Sequence, residues 1–303
     1  MANDSDTIKE AREAFELCED AESENREQAL DDLKFARLGE QWPEGVKKSR
    51  EDEHRPCLTI NRMPAFIRQV VNDARRNKPA IRVHPVDSNA DIETEELIRR
   101  CLSVAWPDDV FIGEETGGAS PAVGQGAWVV DPIDGTACFV KGFAGWTISI
   151  AYYRDDQVVI GLVYDPVHDE MFASRRGHGA TLNGAPIRCS SDTDFTHGLT
   201  GISASHRVSP DPLGPLIVRL LKAGGMFHRG GSCALSMAYV ACGRLNAYYE
   251  AHINSWDSLA GFLLVQEAGG WTNDFLGGDM LSQGGVIAVS APALHKEFVK
   301  IIG

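Results

Sequence analysis

The sequence predicts a layered α/β fold for most of the chain, behind a mostly helical extension. Three observations carry this. The first is a break in composition. Residues 1–97 hold 15 Lys and Arg, 23 Asp and Glu, and only Gly39 and Gly45 as glycines, whereas 98–303 hold 14 and 20 with the other 28 glycines. Charged, glycine-poor sequence reads as long helices, and glycine-rich sequence with sparse charge as turns between strands and helices. The second is a succession of short apolar runs of strand length after residue 101. The third is a set of helical stretches among them, each with its own stop signal. The break sets a domain boundary between about residues 86 and 97, dividing the chain into 1–90 and 91–303.

In the extension, residues 7–38 lack Pro and Gly and carry a sparse apolar stripe that includes Phe15, Leu17, Leu30, Leu33 and Phe35. Such a helix needs a partner surface. The Trp42-Pro43 step ends it, because the residue before a proline is pushed out of helical space. A second helix is predicted over 64–76 and an extended run over 80–85. Beyond the boundary, 110–112 and 127–130 read as buried strands. Residues 146–153 and 158–164 read as a hairpin turning at Arg154-Asp155-Asp156-Gln157, and 170–174 and 180–182 as further strands. Helices are predicted over 215–223, over 232–242 before Gly243, over 258–268 before Gly269-Gly270, and over 294–301.

Charge and composition exclude several functions. A net charge of −14 argues against broad nucleic-acid binding through phosphate contacts. An anionic substrate must then be met by a local positive element, a bound cation or a helix N-terminus. No apolar run approaches the roughly 20 residues of a membrane span. Asp4, Asp6, Glu10, Glu13, Glu16, Glu19 and Asp20 leave no room for a secretory signal peptide at the start. Seven scattered cysteines without a C-x-x-C pair exclude a disulfide framework and a thiolate zinc site, and suit the cytoplasm.

The informative motif is Asp131-Pro132-Ile133-Asp134-Gly135-Thr136, directly after an apolar strand. A regular strand would point Asp131 and Asp134 to opposite faces. Pro132 and Gly135 break the alternation, so a turn is expected that gathers both carboxylates and the Ile133 carbonyl round one point. These are hard oxygen donors of the kind Mg²⁺ prefers. The following amides of Gly135 and Thr136 can face a phosphate oxygen. Glu114-Glu115 follows another strand, and Asp257 opens a helix after Ser255-Trp256. Taken singly, each has an ordinary structural explanation, as an Asp-Gly turn, a solvated surface pair or a helix cap. Together, each ending an apolar element, they suggest a shared site. Two carboxylates about 4 Å apart repel by roughly 4 kcal/mol at an effective dielectric near 20, so converging acids need cations or protons.

Residues from about Asp91 to the end resemble the inositol monophosphatase family of metal-dependent, lithium-sensitive phosphatases. The likeness rests on Phe111-Ile112-Gly113-Glu114-Glu115, on Trp128 through Thr136, on Gly161-Leu162-Val163-Tyr164-Asp165-Pro166, on Gly231-Ser232-Cys233-Ala234, on Ala247-Tyr248-Tyr249-Glu250, on Trp256-Asp257 and on Glu267-Ala268-Gly269-Gly270. The resemblance implies an α-β-α-β-α sandwich of the inositol monophosphatase and fructose-1,6-bisphosphatase type, lacking its usual first helices. It implies that Glu114, Asp131 and the Ile133 carbonyl hold one Mg²⁺, and Asp131, Asp134 and Asp257 a second. Glu114 and Thr136 would orient the attacking water, and the Gly135 and Thr136 amides would hold the phosphate. Glu250 would accept substrate hydroxyls in a pocket lined by Gly231, Ser232 and Cys233, towards which a helix starting at Ser232 aims its positive end. Asp91 stands at the right distance before Glu114 to imitate the family's third-metal aspartate. The family's lysine has no counterpart. A homodimer is implied, and loss of the opening helices would expose apolar surface.

The first segment resembles instead the start of tailed-phage portal proteins. Asn25-Arg26-Glu27-Gln28, Gln41-Trp42-Pro43, Arg55-Pro56-Cys57-Leu58-Thr59-Ile60-Asn61-Arg62 and Lys78-Pro79-Ala80 carry that likeness, which runs on to about Thr94. Three readings follow: a Mg²⁺-dependent phosphomonoesterase, a phage structural fragment, and an inactive fusion product. Within the first, the substrate is a small phosphorylated polyol, with histidinol phosphate or phosphoadenosine phosphate as alternatives. Enzymes for those two tend to carry a basic residue where Ala137 stands, which favours sugar or inositol phosphates.

Overall fold

The computed structural model describes residues 89–303. The expectations for 1–88, the portal-like segment among them, lie outside the described residues. The described chain opens with α1 (Asn89–Ala105), β1 (Val110–Gly113), β2 (Ala127–Asp134), α2 (Thr136–Lys141), β3 (Thr147–Arg154), β4 (Gln157–Asp165), β5 (Glu170–Arg175), β6 (Ala180–Leu182) and β7 (Ala185–Ile187). These seven strands form one sheet in sequence order, antiparallel except for the parallel pair β1–β2. Then come β8 (Leu199–Ser203), α3 (Leu213–Lys222), β9 (Met226–His228), α4 (Cys233–Ala241), β10 (Ala247–Ile253), α5 (Ser255–Glu267), β11 (Trp271–Thr272), α6 (Met280–Gln283), β12 (Gly285–Ser290) and α7 (His295–Ile302). Their five strands make a second sheet in the order β11-β12-β10-β8-β9, in which β10, β8 and β9 run parallel.

Three apolar clusters glue five layers together. Ile98 and Leu102 of α1 pack on Trp128, Val130, Ile148, Ile150 and Tyr152 of the first sheet. Between the sheets, α4 and α5 meet Ala127, Val129, Val163 and Phe172 on one side and Tyr248, Ile287 and Val289 on the other. Outside the second sheet, Leu216 and Leu220 of α3 and Phe298 and Ile301 of α7 cover Ile202, Ala247 and Ala288. The order is α-β-α-β-α, as the resemblance implies, but the outer face of the first sheet is not left bare as expected from the loss of opening helices, because α1 covers it. A helix between two sheets has no solvent face, and α4 accordingly buries eight side chains, from Cys233 to Ala241. All eight residues of β2 are buried for the same reason. Among the described residues no helix is long and apolar enough to cross a membrane.

Several elements differ from expectation. Residues 89–105, where the sequence sets its boundary, form a single helix. It lacks Pro and Gly, and its charged face hides a narrow seam centred on Ile98 and Leu102. The expected turn at 131–136 is instead a continuation of β2. The alternation is broken by a bulge between Asp131 and Asp134, where the Ile133 amide donates to Asp131 Oδ1 at 2.9 Å. A bulge accommodates Pro132, which has no amide to give a ladder. The hairpin at 154–157 is as predicted. Asp155 and Asp156 take φ of 50° and 57°, the left-handed pair a two-residue turn of this hand requires. Strands β7 to β12, apart from the Ala247-Tyr248-Tyr249-Glu250 motif, have no counterpart in the sequence reading.

Trp128 ties these layers together, its ring centroid 4.8 Å from Trp106 and 4.7 Å from Tyr152. Trp128→Ala is expected to lower unfolding free energy by about 3–5 kcal/mol, read as a fall in denaturant midpoint at unchanged slope.

Candidate active site

The first sheet delivers acids to the end of its parallel pair. The Glu114 amide donates to the Val130 carbonyl at 3.2 Å, so the residue after β1 is tied to β2 beside Asp131. Glu114, Asp131 and Asp257 each present a carboxylate oxygen, and the three lie within 4.8 Å of one another. The third comes from the first turn of α5, where Asp257 Oδ2 accepts the Asn254 amide at 3.1 Å. Asp257 is therefore a helix cap and a member of the acid group at once. Asp131 Oδ1 is held by the Ile133 amide, while its Oδ2 is buried with no hydrogen-bond partner among the described residues. A buried carboxylate oxygen left unpaired beside two other acids costs several kcal/mol. Those donors fit a hard divalent cation.

The electrostatics agree. Burial, then the charges of Glu114, Asp134 and Asp257, hold Asp131 well above the usual carboxylate range. Asp257 is raised likewise, by burial first and by Asp134 next. Burial and acidic neighbours, Asp134 and Asp91 among them, push Glu114 up to about 7.

Asp134 stands apart from the three. Its Oδ2 accepts the Ser232 hydroxyl at 2.6 Å and the Ala234 amide at 2.7 Å, and its Oδ1 accepts the Cys233 amide at 3.3 Å. The positive end of α4, expected to aim at a substrate, is thus met by this carboxylate. Burial moves Asp134 up to about 6 against those hydrogen bonds. The Ser232 oxygen also accepts the Leu235 amide at 2.9 Å and lies 3.0 Å from Thr147 Oγ1, and Cys233 sits in the core between the sheets.

Asp91 reaches the site on the first turn of α1 and is buried. Thr136 Oγ1 lies 3.3 Å from Asp91 Oδ1 and 3.2 Å from the Ile133 carbonyl, so one hydroxyl links α1, the bulge and α2. Gly135 has φ of 98°, and a Cβ there would come 2.9 Å from the Gly145 carbonyl oxygen. Only glycine fits. Glu250 on β10 is 7% exposed, accepts the Tyr248 hydroxyl at 2.6 Å, and is pushed by burial up to about 7.

Sequence reasoning missed Glu95, a carboxylate with no exposed surface. It accepts the Glu115 amide at 2.9 Å and the Thr116 amide at 3.1 Å, and pairs with Arg99 at 3.5 Å. Gly113 lets the Glu95 carboxylate lie close against β1, since a Cβ there would force that carboxylate to shift. Glu95 therefore holds the loop that carries Glu114. The signal available was its position four residues after Asp91, on one face of a helix.

A layered α/β sandwich that brings buried acids from two strands and a helix to one point makes a candidate metal centre. Residues 68–303 match the inositol monophosphatase family. The chain belongs to that family. It is 35% identical over 218 residues to the Nus factor SuhB of Pasteurella multocida, covering 71% of this chain and 81% of the relative. It is 37% identical over 206 residues to the inositol-1-monophosphatase of Mesorhizobium japonicum, covering 66% and 77%. The crystal structure of the extragenic suppressor protein suhB from Bartonella henselae superposes with a TM-score of 0.71 at 27% identity, covering 81% of this chain and 98% of that one.

Two outcomes follow. Carboxylates whose folded pKa is raised stabilise the fold most below their unfolded pKa of about 4, and that contribution is lost as pH climbs towards the folded value, about 7 for Glu114. In chelator, the melting temperature should therefore fall between about pH 5 and pH 8, and Mg²⁺ should raise it more at the higher pH, where fewer protons compete. Glu95→Gln should weaken Mg²⁺-induced stabilisation by about tenfold in apparent affinity, measured by melting against metal concentration.

Proposed function

We propose that the chain is a Mg²⁺-dependent phosphomonoesterase acting on inositol monophosphate or a related small sugar or polyol phosphate. The observation that carries this is the unpartnered Asp131 Oδ2 between Glu114 and Asp257. Glu114, Asp131, Asp257 and the Ile133 carbonyl would hold Mg²⁺, with Asp134 supporting a second ion and Asp91 a third. Bound there, Mg²⁺ supplies Lewis-acid stabilisation of the phosphoryl oxygens and a more acidic water. The chain's own groups do the rest. Glu114 accepts a proton from the attacking water. The Thr136 hydroxyl orients that water, while the Gly135 and Thr136 amides hold the phosphate. Water adds to phosphorus in line, the P–O ester bond breaks, and the departing oxygen takes a proton. Glu250, fixed by Tyr248, accepts hydrogen bonds from substrate hydroxyls, and Gly231, Ser232 and Cys233 back the pocket.

Ala137 favours polyol esters over histidinol phosphate and phosphoadenosine phosphate. We take 91–303 as the catalytic domain and 1–90 as a helical, portal-like extension, and note that the family match begins at residue 68.

Free phosphate release from inositol 1-phosphate, with and without Mg²⁺, tests the reading. Asp131→Asn should reduce the rate by at least about 100-fold. Equal rates in parent and variant would refute the metal assignment. No release from any of the three ester classes would favour the inactive-fusion reading, and a ring-shaped oligomer the structural one.

A further inference from the structure

Two buried hydroxyls stand on one face of β3. Thr147 and Ser149 have no exposed surface, and the β2 residues registered opposite them are Asp134 and Asp131. Residues two apart on a strand share a face. The other face of β3, with Ile148, Ile150 and Tyr152, packs under α1, so Thr147 and Ser149 point between the sheets, where α4 and α5 lie. The next residue on that face, Ala151, is part of the apolar core. A hydroxyl buried there must be satisfied by a bond, and where each bond goes is informative.

Ser149 donates to the Trp256 carbonyl at 2.8 Å. That carbonyl belongs to the peptide whose nitrogen is Asp257's own, so the bond fixes the first turn of α5 where Asp257 stands. Thr147 acts one bond further away. A serine hydroxyl offers one proton and two lone pairs. Ser232 gives its proton to Asp134 Oδ2 at 2.6 Å and takes the Leu235 amide at 2.9 Å on one lone pair. Thr147, 3.0 Å away, therefore donates to the other. Every bonding position of Ser232 is then filled, and its proton points at Asp134. With the Ala234 amide at 2.7 Å, Oδ2 of Asp134 is filled as well. Oδ1 accepts the Cys233 amide at a longer 3.3 Å and is the oxygen left to face a cation. Glu114 takes its position from elsewhere, its amide bonded to the Val130 carbonyl and its loop held by Glu95.

We propose that Thr147 and Ser149 are a pair of positioning residues that set the spacing of Asp134 and Asp257, and with it the affinity of the second divalent cation. One strand thereby ties the starts of two helices to the acid-bearing end of its neighbour. The ion at Glu114 and Asp131 does not depend on either hydroxyl. The proposal rests on the phosphatase reading and assigns this pair to one of its ions.

The test counts ions as well as turnover. The full chain is titrated with Mn²⁺, followed by electron paramagnetic resonance as a stand-in for Mg²⁺. The parent should bind two ions ahead of any surface binding. In the Thr147→Val, Ser149→Ala double variant, one of the two should weaken by about tenfold or more and the other stay within about twofold. Thr147→Ser and Ser149→Thr, which keep the hydroxyls, should bind both ions as the parent does. Equal weakening of both ions, or of neither, overturns the proposal, as does a parent that binds a single ion. A hydroxyl-keeping variant that weakens one ion as far as the double variant does also overturns it. Should the double variant fail to fold in chelator, Thr147→Val and Ser149→Ala are compared singly, with the same selective loss expected. Phosphate release from inositol 1-phosphate runs alongside. Half-maximal rate should need about tenfold more Mg²⁺ in the double variant, with KM for the ester at saturating Mg²⁺ unchanged. Selective loss of one ion in a chain that releases no phosphate refutes the phosphatase reading alone. Turnover in the parent with unchanged ion binding in the variant refutes the positioning role alone.

Discussion

The repulsion among buried carboxylates is the constraint round which the described structure is arranged. Glu114, Asp131 and Asp257 meet within 4.8 Å of one another, and Asp134 adds its charge at their side. Left in water these acids would separate. The fold holds the three aspartates by backbone amides: Ile133 for Asp131, Cys233 and Ala234 for Asp134, Asn254 for Asp257. Glu95 repeats the device one step further out, with the Glu115 and Thr116 amides. Fixed donors cost no reorganisation when charge arrives, which is what a preorganised site needs.

The layers explain how such rigid placement is reached. β2 is clamped on both faces, by α1 outside and by α4 and α5 inside, so its bulge at Asp131–Asp134 is fixed by packing on either side. The bulge and the left-handed Gly135 stand next to each other here, where the surrounding core over-determines the backbone. The second sheet contributes Glu250, whose carboxyl feels the charge of Asp134.

Legibility in the sequence followed how local each signal was. The run Trp128-Val129-Val130 and the acids after it stand next to one another, so strand and site could be read together. Asp257 was visible because an acid in the first turn of a helix is a known cap, and it proves to be one. The bulge was read as a turn because Pro132 and Gly135 signal both. α1 went unseen because only a narrow seam round Ile98 and Leu102 touches the sheet, inside a stretch dense with charge. Glu95 carries no local mark at all, since the amides it accepts lie 20 and 21 residues away. Strands such as β8, Leu-Thr-Gly-Ile-Ser, are too short and mixed to declare themselves.

One consequence attaches to where α1 begins. Asp91 lies two residues after its start, less than one helical turn and about 3 Å along the axis from Asn89. A buried carboxylate so close to a helix end depends on that end staying wound, so fraying of the first turn would loosen the contact between Asp91 and Thr136 before any strand moved.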